Sequence, residues 1–107
     1  MTPIVTSSSA WNLSVNSYKL NIALKKHEEE KEECFLYFAR KISSVIGKDE
    51  HEICELFRRT DSPDVRIKKN ISVQERSQLE EIFSLYYKMS QDKELDPSDY
   101  FYYENDN

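Results

Sequence analysis

The sequence predicts an all-α fold: a small three- to four-helix bundle with a long first helix, a short C-terminal helical turn and a flexible N-terminus. Three observations carry that expectation. Gly occurs once and Pro three times in 107 residues, whereas a sandwich or barrel needs a turn roughly every 8 to 12 residues. Nothing in residues 15–46 breaks a helix. Apolar residues recur at three- and four-residue spacing in two stretches, one holding Phe35, Phe38, Ile42, Val45 and Ile46, the other Leu79, Ile82, Phe83 and Tyr86, as one buried helical face requires.

Taken in order, residues 1–10 are small and hydroxyl-rich and are expected to be mobile. Trp11 and Leu13 anchor the start of a single helical domain over 11–95. Ser14 or Asn16 caps the first helix, since either side chain offers an oxygen to the orphan amides of a first turn. That helix carries a charged waist, KKHEEEKEE at residues 25–33, between an apolar patch around Leu20 and Leu24 and the stripe beginning at Cys34. It either runs unbroken or breaks near His27 to Glu30, and the single helix is preferred. Gly47 is placed to close it in a left-handed conformation. Asp49 with Glu52 starts a second helix that buries Ile53, Leu56 and Phe57. Residues 60–70 form a connection in which Val65 to Ile67 can pair briefly as extended chain, because Pro63 biases the segment away from helix. Ser72 with Glu75 is a reciprocal capping box for a third helix. Asp96, Pro97, Ser98 and Asp99 repeat the start logic, followed by a final turn through Tyr100, Phe101, Tyr102 and Tyr103.

Hydrophobic residues make up 38% of the chain and charged residues 33%, with a net charge of -5. Aromatics at 12% are too many for a disordered chain. The charge is uneven. Residues 58–69 hold five basic and two acidic side chains, whereas residues 70–107 hold three basic and nine acidic ones. An acidic C-terminal third repels nucleic acid and anionic membranes. One glycine excludes a glycine-rich phosphate loop. Two cysteines are too few for a disulfide framework, and neither a signal-peptide pattern nor a membrane-length apolar run is visible. A cytoplasmic setting is expected.

Four groups of residues invite chemistry. His51 and Cys54 lie one turn apart, but a closed metal site takes four ligands, and no metal or cofactor is expected. Runs of paired carboxylates such as Glu80 and Glu81 belong to solvated helical faces, and nothing resembles a nucleophile with its base. The basic set Arg58, Arg59, Arg66, Lys68 and Lys69 precedes a helix as in nucleic-acid readers. That helix opens with Glu75, however, and continues with Glu80 and Glu81, which oppose phosphate. The most unusual group is aromatic and acidic: Tyr86, Tyr87, Asp96, Asp99, Tyr100, Phe101, Tyr102, Tyr103 and Glu104. Tyrosine supplies large apolar area and one hydroxyl for little entropy, as interfaces favour. The segment reads equally as a docking site for a basic-grooved protein or as a lid, with two or three of its rings folded back over the first helix.

The expected function is therefore non-enzymatic: a regulator, inhibitor or adaptor that binds a protein, with a homodimer through the first helix as a route to burying more apolar surface. Size, acidity and helicity of this kind are shared by small chaperones and phage- or plasmid-type inhibitors, on composition alone. The alternatives are a nucleic-acid-binding regulator using residues 58–69, and mimicry of nucleic acid, with C-terminal carboxylates standing in for phosphates.

Overall fold

The residues Trp11–Val15, expected to lead into a helix, instead form β1, the middle strand of a three-stranded antiparallel sheet. In the computed structural model residues 11–25, 28–89 and 96–105 are described. Residues 1–10, expected as a tail, lie outside them, as do 26–27, 90–95 and 106–107. After β1 come α1 (Ser17–Leu24), α2 (Glu28–Ile46), α3 (Glu50–Phe57), β2 (Val65–Ile71), α4 (Val73–Met89), a 3-10 turn (Pro97–Asp99) and β3 (Phe101–Asn105). The fold is α+β, which corrects the all-α helical bundle.

The physical reason lies in pairing between residues far apart in the chain. In β1 the apolar residues Trp11, Leu13 and Val15 alternate with Asn12 and Ser14, the period of a strand. β1 pairs with β2 on one side, Val15 opposite Val65 and Ser14 opposite Arg66, and with β3 on the other, Val15 opposite Phe101 and Leu13 opposite Tyr103. β2 takes up extra residues at two register shifts against β1, and Asn70 there adopts φ 59°, a left-handed conformation that Asn tolerates better than most residues. Leu13, Val15, Val65, Ile67, Ile71 and Phe101 share one buried cluster with residues of all four helices.

The single helix expected over 15–46 is corrected to two. Asn16 caps α1, its Oδ1 accepting from the Lys19 amide at 2.9 Å. At the far end the Lys25 amide bonds back to the Ile22 carbonyl, the tighter three-residue step of a 3-10 turn. A straight helix over 15–46 would span about 48 Å and hold Leu20 and Leu24 far from Ile42 and Ile46. Two helices let all four join one core. α1 also finishes α3. The Ser17 hydroxyl donates to the Leu56 carbonyl (2.9 Å), and the Asn21 amide donates to the Phe57 carbonyl (2.8 Å), satisfying carbonyls that the end of a helix leaves without partners.

The capping signals hold. Gly47 takes φ 75° and its amide bonds to the Ser43 carbonyl at 2.9 Å. Asp49 accepts from the Glu52 amide at 3.2 Å. The Ser72 amide donates to Glu75 (2.9 Å) while the Glu75 amide donates to the Ser72 hydroxyl (3.0 Å). In α3, however, Leu56, expected to be buried, is only half-buried, and Cys54 is buried with Ile53 and Phe57.

The C-terminal aromatics depart furthest from expectation. The helical turn is limited to Pro97–Asp99, and Phe101 opens a strand. The Phe101 ring stacks on Phe83 at 4.8 Å and meets Phe38 at 5.2 Å and Phe57 at 5.7 Å. Residues 96–105 thus belong to the same core as the helices and are no appendage to it. Phe101→Ala is expected to cost about 3–5 kcal/mol of unfolding free energy, measured by urea titration. Tyr102→Ala, with its half-exposed ring on the opposite sheet face, is expected to cost well under half of that. Equal costs would contradict the placement of the two rings.

Candidate functional site

The five cations expected to act together are split by the fold. Arg58 sits at the end of α3, where its guanidinium donates to Glu32 of α2 (2.6 Å) and to Glu55 (2.5 Å). The bond to Glu32 raises the Arg58 pKa, and the reciprocal bond from Arg58 holds Glu32 below the ordinary carboxylate range. Arg58 therefore ties α2 to α3. Arg59 is exposed and is not among the residues that line the cleft described next.

Arg66, Lys68 and Lys69 do converge, on the strand at the sheet edge. They line a cleft of about 460 Å3 with Ile46, Gly47, Lys48 and Ile67. Lys48, which sequence reasoning passed over, follows the glycine that ends α2. The cleft walls are cross-laced. The Lys48 ammonium donates to the Ile67 carbonyl of β2 at 2.8 Å, and the Lys68 ammonium donates to the Ile46 carbonyl of α2 at 3.0 Å. Lys68 also meets Glu75 at 3.3 Å. Burial pushes the Glu75 carboxyl up, but the bonds from the Ser72 amide and Lys68 outweigh it, so its pKa lies below the ordinary value.

The aromatic and acidic set is largely taken up by the fold. Tyr100 and Phe101 are buried, which removes both from a docking surface. Asp96 caps the 3-10 turn, accepting from the Ser98 amide and hydroxyl. Tyr86 is half-buried against Tyr37 and Phe38. The Tyr102 hydroxyl donates to Asp64 in a short bond, and burial together with that carboxylate raises its pKa. Tyr103 stacks on the Arg76 guanidinium, whose centre lies 4.4 Å from that ring and 4.4 Å from the Trp11 ring. This aromatic clamp joins β1, β3 and α4. Tyr87 is half-buried, while Asp99 and Glu104 are exposed.

Sequence reasoning also missed a second apolar strip on α4. Leu85 and Met89 are 49% and 73% exposed, and with half-buried Ile82 and Tyr86 they occupy positions i, i+3, i+4 and i+7. The same stride places Leu79, Ile82, Phe83 and Tyr86 against the core, so the apolar arc of α4 is wider than the surface the fold covers. The signal was readable in the sequence as a second register of that stride.

Neither cysteine is activated. Burial pushes the Cys34 thiol up to about 11 and raises Cys54 as well, so both are thiols at neutral pH and poor nucleophiles. His51 is exposed and Cys54 buried. Among the described residues no three His, Cys, Asp or Glu side chains gather as a metal set, and no helix is long and apolar enough to cross a membrane. A scan against protein-family models finds no match, and comparisons with curated proteins and with solved structures find none either.

The cleft wall has a pH signature. Because the Glu75 pKa is lowered on folding, its contribution is present above the ordinary carboxylate value and is lost as pH falls through that value and below it. Glu75→Gln is therefore expected to flatten the acid limb of stability against pH and to leave the shape of the curve near neutrality unchanged. Denaturant midpoints across acidic and neutral pH measure this, and an unaltered acid limb would contradict the ionic role of Glu75.

Proposed function

We propose that the protein is a non-catalytic binding protein, acting as a regulator, inhibitor or adaptor, that docks a protein partner on the C-terminal half of α4. The observation that carries this reading is the exposed pair Leu85 and Met89, continuous with Ile82 and Tyr86. Single exposed apolar residues are ordinary. Two on adjacent turns, joined to a half-buried aromatic, form a patch of the composition that interfaces favour. Their i, i+3, i+4, i+7 spacing is the pattern by which a helix seats in an apolar groove. The partner is then a protein with such a groove.

A cytoplasmic setting fits the two free thiols, Cys34 and Cys54, since a reducing compartment keeps thiols unpaired. A second reading, self-association through α1, is favoured by Tyr18 and Ile22, which are 51% and 52% exposed one turn apart.

Two charge-insertion pairs separate these readings. Leu85→Glu with Met89→Glu is expected to abolish partner capture from native cells while shifting the melting temperature little. Tyr18→Glu with Ile22→Glu is expected to leave capture intact and to convert any dimer seen by light scattering to monomer. Capture that survives the α4 pair would sink the docking assignment, and a wild type that is monomeric at high concentration would sink self-association.

A further inference from the structure

We propose that the cleft between β2 and the end of α2 binds a small ligand carrying two or more phosphate groups. Four of its seven lining residues are cations, Lys48, Arg66, Lys68 and Lys69, in a chain whose net charge is -5. Such concentration of one sign needs an explanation, because like charges brought together repel unless an anion joins them.

The four cations are not equivalent. Lys48 and Lys68 are held in place, each spending a donor on a carbonyl across the cleft. An ammonium has three donors, so both keep capacity for a ligand at a position already fixed, and little ordering entropy remains to be lost. Arg66 and Lys69 are exposed on β2, and among the described residues no carboxylate pairs with either. Glu75 offsets one charge, at Lys68. The remaining excess of positive charge suits a ligand with more than one anionic group. The Arg66 fork suits phosphate in particular, which accepts two parallel N–H bonds.

Size and lining restrict the ligand further. About 460 Å3 is within the range of small-molecule sites, which run from about 300 to 1,000 Å3. Gly47 adds no side chain at the rim, and a Cβ placed there would meet nothing within 4 Å, so the approach is open. No aromatic ring is among the lining residues, which removes the stacking platform that single-stranded nucleic acid uses. Glu75, Glu80 and Glu81 on α4, the helix that follows β2 directly, oppose an extended polyanion. An acidic peptide adding as a further strand to β2 would have to displace Lys48 from the Ile67 carbonyl. A compact polyphosphate needs none of these concessions.

The probe is inorganic pyrophosphate, titrated into the full chain at physiological ionic strength and followed by calorimetry and by amide chemical shifts. Saturable binding with shifts centred on residues 46–48 and 66–69 is expected, weakened about tenfold or more by Arg66→Ala with Lys69→Ala. Arg59→Ala, outside the cleft, should leave the affinity unchanged, and circular dichroism should show all variants folded. Lack of saturable binding, or binding indifferent to the Arg66 and Lys69 changes, would overturn the proposal. So would tighter binding of a short single-stranded oligonucleotide or an acidic peptide that depends on the same two residues, since either would make the small phosphate a surrogate.

Discussion

The Phe101 ring is the point at which the sheet meets three helices. It stacks on Phe83 of α4 and touches Phe38 of α2 and Phe57 of α3, while its backbone pairs with Val15 in the middle strand. Those contacts decide much else. They hold β3 against β1, and therefore hold β1 as a strand with partners on both sides. They also fix where α3 ends, because the α3 residue that meets the ring, Phe57, offers its carbonyl to Asn21 of α1. Aromatic pairs of this geometry contribute beyond the area they bury, and a ring shared by three helices couples their positions. Arg58 reinforces the same junction from the surface through Glu32 and Glu55.

The opposite edge of the sheet is built on charge. At β2 a lysine from each wall reaches the carbonyl of the other, so charge clasps the end of α2 to the strand above the buried Ile46 and Ile67. The arrangement also answers the problem every edge strand poses, since unpaired backbone groups template unwanted pairing. Lysine ammonium groups over the edge discourage a second strand and leave a cleft suited to anions. The two surfaces read as binding sites are therefore of opposite character: an apolar strip on α4 and a cationic cleft at β2.

How much was legible followed from the range of the interactions. The capping residues Gly47, Asp49, Ser72 with Glu75, and Asp96 were readable, and Asn16 as one of two candidates with Ser14, which lies in β1, because each bond closes within a few residues. The helical stripes of α2 and α4 were readable for the same reason. Of the strands only the start of β2 was read, as the brief pairing of Val65 to Ile67; β1 and β3 were not, although the alternation is visible once sought: Trp11, Leu13 and Val15, then Phe101 and Tyr103. Five residues of alternation are a weak local signal, and strand preference depends on neighbours that the sequence places far away. Asn12 and Ser14 misled further, since both are polar and yet only 1% exposed. For the sites, Arg66, Lys68 and Lys69 stood out as a basic run, but Lys48 joins them only through the packing of α2 against β2. Burial of Tyr100 and Phe101 was foreseen only in the lid, one of two equal readings, because nothing local shows that β3 closes the sheet.

The strand order has a consequence in time. Among the described residues β1 is the earliest strand and lies between the other two, with Trp11 opposite Ile71 on one side and Asn105 on the other. As the chain emerges during synthesis, the segments that become α1, α2 and α3 are made before β1 has any neighbour to pair with. Until β2 appears, Leu13 and Val15 have no sheet in which to be buried, and until β3 follows, the helices lack the Phe101 ring. Pairings between distant segments fold slowly because loop entropy is lost before contacts compensate it. In a nascent chain of this topology the apolar faces of those segments have no sheet to cover them until β2 and β3 are made, the kind of surface that chaperones exist to shield.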